Sequence, residues 1–119
     1  MDLRAAEPYT LRPMERHAIP TGLCVAIPEG WEGQIRPRSG LALRVGLGMP
    51  NAPGTIDSDY RGELKVLLIN LGLEPIAITR GMRIAQMLIT PAPQADIVVV
   101  ADLDETERGA AGFGSTGID

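Results

Sequence analysis

Trp31-Glu32-Gly33-Gln34-Ile35-Arg36 is the stretch on which the fold class turns. Trp31, Gly33 and Ile35 alternate with Glu32, Gln34 and Arg36, the two-residue period of a strand with one dry and one wet face. Upstream, Leu23, Val25 and Ile27 alternate between Pro20-Thr21-Gly22 and Pro28-Glu29-Gly30, which predicts a strand with a turn at each end. Downstream, Leu64 to Ile69 is nearly all apolar and reads as a central strand covered on both faces. Ile76 to Ile78 and Ile84 to Ile89 follow, joined by the turn Arg80-Gly81-Met82, and Ile97 to Val100 reads as the last strand. Ser39 to Val45 suits one or two helical turns with Ser39 as N-cap. Short, evenly spaced strands predict an all-β protein, a distorted jelly roll or β-barrel with one short helix.

The chain has 119 residues, enough for one domain and one core. Apolar residues make up 45%, which excludes a disordered tail protein. The net charge of −4 argues against a nucleic-acid coat, yet leaves room for one phosphate-bearing small molecule held by a few arginines. No stretch approaches the ~20 apolar residues of a membrane span, and Met1-Asp2-Leu3-Arg4 does not open a signal peptide, so a cytoplasmic location is expected. A single cysteine, Cys24, and a single histidine, His17, exclude an internal disulfide, a Cys-rich zinc site and ligand sets needing two histidines. His17 is expected on the surface, Cys24 as a small core residue in a strand and Trp31 as packing. The sequence has 14 glycines and 10 prolines, and the tail from Gly109 to Gly117 is too glycine-rich for a core.

Five segments interrupt the strands. Arg36-Pro37-Arg38-Ser39-Gly40-Leu41-Ala42 offers two guanidinium forks and a hydroxyl to an anion, although a solvated loop with a serine cap fits as well. Asn51 to Glu63 holds Asp57, Asp59 and Glu63 beside Tyr60, among glycines that let backbone approach a ligand. Those carboxylates suit water activation or indirect Mg²⁺ binding, and equally a hairpin with a charged tip. Arg83-Ile84-Ala85-Gln86-Met87 puts Arg83 and Ala85 on one face and Ile84 and Gln86 on the other, with Gln86 either an inward ligand group or a structural one. Arg108 and Phe113, with Ser115 and Thr116, sit in a glycine frame that could close over a ligand or simply end the chain. Asp2-Leu3-Arg4-Ala5 is uninformative alone.

In this order the five segments resemble the motifs of the homotrimeric deoxyuridine triphosphatases, the dUTPases. The resemblance covers nearly the whole chain: Asp2 to Ala5, Arg38 to Ala42, Gly54 to Gly62, Arg83 to Gln86, and Arg108 to Gly117. It implies a jelly-roll-like β-clip fold, three chains per molecule with shared active sites, and Mg²⁺-dependent hydrolysis of dUTP to dUMP and pyrophosphate. That reaction limits uracil in DNA and supplies dUMP for thymidylate synthesis. By the resemblance, Asp57 orients the water that attacks the α-phosphorus, Tyr60 lies under the deoxyribose, and Asn51 with the backbone through Gly54, Thr55 and Ile56 reads the uracil edge. Arg38, Ser39, Gly40 and Gln86 match phosphate or water contacts, and Asp2 matches an acid that helps hold the metal's water shell.

Residues 1–107 then form the β domain and residues 108–119 a closing arm, whose Arg108, Phe113, Gly114, Ser115 and Thr116 reach another subunit's substrate. Family members usually carry a further strand before the Asp-Leu-Arg-Ala motif. Its absence predicts an unpaired sheet edge, with Asp2 on a fraying terminus, and Pro50 predicts a local change at the hairpin entry. Two rivals are a deaminase-like or bifunctional activity on dCTP, with Glu63 as the suspected acid, and a nucleotide-binding protein without turnover. The spelling of the Asp57 to Gly62 segment and of the tail favours the triphosphatase.

Overall fold

Strand 31–36 forms as its alternation requires: Gly33 and Ile35 are buried, while Glu32, Gln34 and Arg36 point away from the core. The computed structural model describes residues 1–118. Its elements are β1 (Asp2–Arg4), β2 (Tyr9–Leu11), β3 (Arg16–Pro20), β4 (Trp31–Arg36), α1 (Ser39–Val45), β5 (Leu47–Gly48), β6 (Gly54–Ile56), β7 (Lys65–Asn70), β8 (Ile76–Ile78) and β9 (Arg83–Pro91). All pairings are antiparallel, in three small sheets ordered β1-β9-β4-β6, β2-β8 and β3-β7-β5. Among the described residues no sheet closes into a barrel, so the jelly-roll-like description holds and the barrel does not.

The sheets share one aliphatic core built from Leu3, Leu11, Ile19, Ile35, Leu47, Leu64, Val66, Leu68, Ile76, Ile78, Ile84 and Met87. Full burial of such a side chain contributes roughly 1.5–3 kcal/mol. The 64–69 run forms β7 at the centre of its sheet, shifted by one residue. It buries Val66, Leu68 and Asn70 on one face and only half-buries Leu67 and Ile69 on the other. Asn70 is 0% exposed, and its amide is fully used. Nδ2 donates to the carbonyls of Leu11 (2.9 Å) and Glu74 (2.8 Å), and Oδ1 accepts from the Gly72 N–H (2.9 Å).

Several expectations change. Residues 23–27 form no strand: the Leu64 N–H donates to the Leu23 carbonyl, but no ladder continues, and alternation without a partner leaves Leu23 and Cys24 exposed. Cys24 is therefore not a core residue. Trp31 is 44% exposed at the end of its strand, so it does not simply pack. Ser39 is the first helical residue rather than the cap. Arg38 holds the N-cap position with an extended backbone and no capping side-chain bond. The helix ends at Gly46, whose φ of 73° is the left-handed conformation of a C-cap and whose N–H donates to Ala42.

Asp2 is not on a fraying end. It pairs with Gln86 inside β1, at the edge of the four-stranded sheet. The pairing skips a residue between Leu3 and Arg4, so Ile84 is an extra residue in β9 that turns into the core beside Ala85. The simple two-face reading of Arg83 to Gln86 fails for that reason.

Between β2 and β3 the chain turns through Arg12-Pro13-Met14-Glu15. Glu15 accepts from the Arg12 N–H (3.0 Å) and Nη2 (3.2 Å) and from the Tyr9 hydroxyl (3.1 Å). Those donors, the backbone N–H first, hold its carboxyl below the usual glutamate range. His17 is exposed as expected, with its ring stacked on Tyr9 at 3.8 Å.

After Pro91 the chain leaves the packed body. The Ala92 N–H donates to the Gly30 carbonyl, and beyond it Ile97 to Val100 form no strand. Ile97, Val98, Val99 and Leu103 stand in solvent. The radius of gyration, 18.9 Å, exceeds the ~13.5 Å of a compact chain this long. Asp119, the end of the expected arm, lies outside the described residues.

Candidate functional site

The outer face of the four-stranded sheet brings three sequence segments together at one end. Asp2 of β1 lies opposite Gln86 of β9, and Gln86 lies opposite Arg36 of β4. Arg83 Nη1 reaches Asp2 Oδ2 at 3.4 Å, and Arg38 Nη1 donates to the Arg83 carbonyl at 3.2 Å. Three arginines (Arg36, Arg38, Arg83) thus stand at this end of the sheet and only Arg83 reaches the Asp2 carboxylate, a locally basic end on an acidic chain and a good host for an oligoanion. Asp2, Arg36 and Gln86 line a cleft of about 430 Å³ there. Ser39 and Gly40 follow Arg38 and are exposed. Gln86 is also exposed, on the outer face of β9, not turned into the core.

The sequence does not single out Arg83 as a ligand, whereas it offers Arg36 as one of two guanidinium forks for an anion. For Arg36 the signal was present: the wet face of its strand puts it two residues from Arg38, and pairing sets it beside Gln86. The same face carries a hydrogen-bonded ladder in which Arg36 donates to Gln34, and Gln34 to Glu32, each at 2.8 Å.

The second group runs along β6 and ends with Asp57 at the other end of β4. Gly54, Thr55 and Ile56 pair with Ile35, Gln34 and Gly33, so β6 delivers Asp57 toward Trp31 and Glu32. Asp57, Ser58 and Asp59 line a cleft of about 450 Å³ with those two residues and Pro93. The turn that follows is tightly bonded. The Tyr60 N–H donates to the Asp57 carbonyl (3.1 Å), the Tyr60 hydroxyl donates to the Glu63 carbonyl (2.8 Å), and Arg61 donates to Ser58 (2.7 Å) and to Tyr60 (2.9 Å). Glu63 Oε1 accepts from the Gly22 N–H at 3.0 Å, which anchors the turn to the body. Ahead of β6 the hairpin entry passes through a cis Ala52–Pro53 bond. Asn51 Nδ2 stands 3.2 Å from where a Cβ on Gly54 would be, so the amide lies over that backbone.

Asp57 and Gln86 are consequently apart. Counted along β4 from Glu32 to Arg36, the two groups are separated by roughly 13 Å at about 3.3 Å per residue. The arm residues are apart from both. Arg108 Nε donates only to Ala111 (2.7 Å), Phe113 is 114% exposed, and Gly114, Ser115 and Thr116 sit in local turns.

As to a metal, no group of three or more His, Cys, Asp or Glu among the described residues could hold an ion directly. A lone, partly exposed carboxylate such as Asp2 fits the water shell of a Mg²⁺ carried by phosphates, because that ion keeps several of its waters.

Comparison with known proteins identifies the family. The dUTPase family model matches residues 1–117. The deoxyuridine 5'-triphosphate nucleotidohydrolase of Anaeromyxobacter sp. (strain Fw109-5) is 61% identical over 117 residues, covering 98% of this chain and 80% of that protein. The enzyme of the same name from Zymomonas mobilis subsp. mobilis is 59% identical over 118 residues, covering 99% and 81%. A solved structure of the Staphylococcus bacteriophage 80alpha dUTPase with dUPNHPP superposes with a TM-score of 0.91 at 30% identity, covering 98% of this chain and 85% of that one. With a family match along almost its whole length and relatives this similar, the chain belongs to the dUTPase family.

Proposed function

We propose that this chain hydrolyses dUTP to dUMP and pyrophosphate, at sites completed only when chains associate. Family membership supports the reaction. The observation that carries the assembly is the arm, in which Arg108 bonds only to Ala111 and Phe113 packs on nothing of its own chain. Along β4, Asp57 follows the Gly33 end of β6 while Gln86 faces Arg36 at the other end, with Gly54 between them opposite Ile35.

In this reading the Asn51 amide and the backbone at Gly54 read the uracil edge, and cytosine would leave buried polar groups unpaired. Tyr60 lies under the deoxyribose. Asp57 orients water toward the α-phosphorus, and its carboxylate contributes position and negative charge. Arg38 and Gln86 hold phosphate oxygens, while Asp2 faces the metal's water shell. Mg²⁺, when bound with the triphosphate, neutralises charge and fixes the chain of phosphates for in-line attack.

The arm, residues 108–119, brings Arg108, Ser115 and Thr116 to phosphate and Phe113 to the base of a site on another chain, in a homotrimer. Ile97 to Val100, unpaired at home, are suited to lie on a neighbour. Among the described residues no helix is long and apolar enough to cross a membrane, and we place the enzyme in the cytoplasm.

The test is pyrophosphate release from each deoxynucleoside triphosphate with Mg²⁺. Release from dUTP alone is expected. Ammonia from dCTP would add a deaminase, and dUTP binding without release would leave a binding protein.

A further inference from the structure

The tip of the Tyr60 ring occupies the space that a side chain at position 62 would need. A Cβ on Gly62 would stand 2.5 Å from the Tyr60 hydroxyl oxygen, 2.7 Å from Cζ and 3.1 Å from Cε2. Those distances are far inside the 3.5–4.0 Å optimum for non-bonded contact. The hydroxyl also donates to the Glu63 carbonyl at 2.8 Å, and the route to that carbonyl passes over Gly62. The ring thus has a floor and a tie, both supplied by the two residues before Leu64.

From this we infer that Gly62 is a positioning residue: by leaving room for Tyr60 it sets the enzyme's preference for deoxyribose over ribose. The inference rests on Tyr60 being the surface beneath the sugar. Gly62 is not among the glycines with positive φ, so alanine fits its backbone. The three heavy atoms nearest to that Cβ all belong to the ring, which is 42% exposed and is held by the Glu63 bond alone among side-chain hydrogen bonds. An added methyl group therefore moves Tyr60 and leaves the fold intact. Rejection of a 2′-hydroxyl depends on closeness, so the platform loses selectivity before it loses the site.

The experiment compares kcat/KM for dUTP and for UTP in the wild type, Gly62→Ala, Tyr60→Ala and the double variant, with thermal melting to verify folding. Where turnover is too slow, equilibrium binding of dUDP and UDP supplies the same ratio. Gly62→Ala is expected to melt like the wild type and to lower the dUTP-to-UTP ratio by roughly tenfold or more. In the Tyr60→Ala background it should change nothing further, because it acts through the ring. A ratio within about twofold of wild type, or an equal fall in the Tyr60→Ala background, overturns the inference.

A Tyr60→Ala enzyme with an undiminished ratio refutes Tyr60 as the sugar platform, and the inference falls with it. That result is distinct from one in which Tyr60→Ala lowers the ratio and Gly62→Ala does not. Tyr60→Phe cuts the Glu63 tie without touching residue 62. It is expected to lower the ratio by about threefold, a typical share of one hydrogen bond, and an unchanged ratio there assigns the ring's placement to the room at position 62 alone.

Discussion

Asp2 stands directly across from Gln86 in the pairing of β1 with β9, and Arg36 stands on the other side of Gln86 in β4. Three segments far apart in sequence thereby become one polar row with a fixed spacing. No flexible loop has to close to assemble the row, so its electrostatics are preorganised for a phosphate chain.

Asp57 sits at the opposite end of that sheet with its carboxyl exposed. Asp57→Asn keeps the size and one acceptor but removes the charge. Turnover of dUTP should fall by roughly 10²–10⁴-fold while binding of a non-hydrolysable analogue stays within a few-fold. Steady-state pyrophosphate release and calorimetric titration check the two halves, and an unimpaired rate would remove Asp57 from the reaction.

The proposed sharing of sites between chains predicts complementation. Asp57→Asn and Arg38→Ala chains, each inactive alone, should recover activity when co-refolded, with about a quarter of the sites intact after random assortment. Recovery no greater than the sum of the two separate preparations would mean that each chain builds its own site.

Phe113 has no partner on its own chain. Stacking on a base is worth about 1–3 kcal/mol, so Phe113→Ala should raise KM for dUTP by roughly 5- to 150-fold. The melting temperature should not move, because nothing in the body packs on that ring. A lowered melting temperature with an unaltered KM would contradict the role.

The Asn70 amide holds three backbone groups without contact with any site residue. Asn70→Ala leaves the Leu11 and Glu74 carbonyls and the Gly72 N–H unpaired, at a cost of roughly 2–4 kcal/mol. Urea unfolding should show this as a lower midpoint, with kcat of the folded fraction unchanged.

Glu15 is more acidic folded than unfolded, so its contribution is present above the ordinary carboxyl range near ~4.3 and is lost as pH falls through the lower folded value. Melting curves between pH 7 and pH 3 should therefore converge for wild type and Glu15→Gln at the acid end and separate at neutral pH, with the wild type higher. Parallel curves at all pH values would show that the charge on Glu15 is irrelevant.

How much of this was legible beforehand depended on the length of the pattern. The six residues from Trp31 to Arg36 and the aliphatic run before Asn70 announced their strands because both span several repeats of the period. β1, β2 and β6 are three residues each, and β5 is two, too short for a period to register, whereas β8, equally short, was marked by its two isoleucines about Ala77. Alternation from Leu23 to Ile27 misled, since pairing partners rather than side-chain order decide whether a strand exists. The site residues were readable as motifs. The separation of Asp57 from Gln86 along β4 was not, because register is a tertiary property; nor was the crowding of Tyr60 against Gly62, which only coordinates reveal.

Asn70 has one further consequence. Only a carboxamide of that length offers two donors and an acceptor in one plane, so aspartate, leucine and serine each forfeit part of the arrangement. Drift at this position should be slow on an evolutionary scale, as slow as at a residue that touches nucleotide. Anyone ranking positions by invariance would then mistake a structural clasp for a participant in the chemistry.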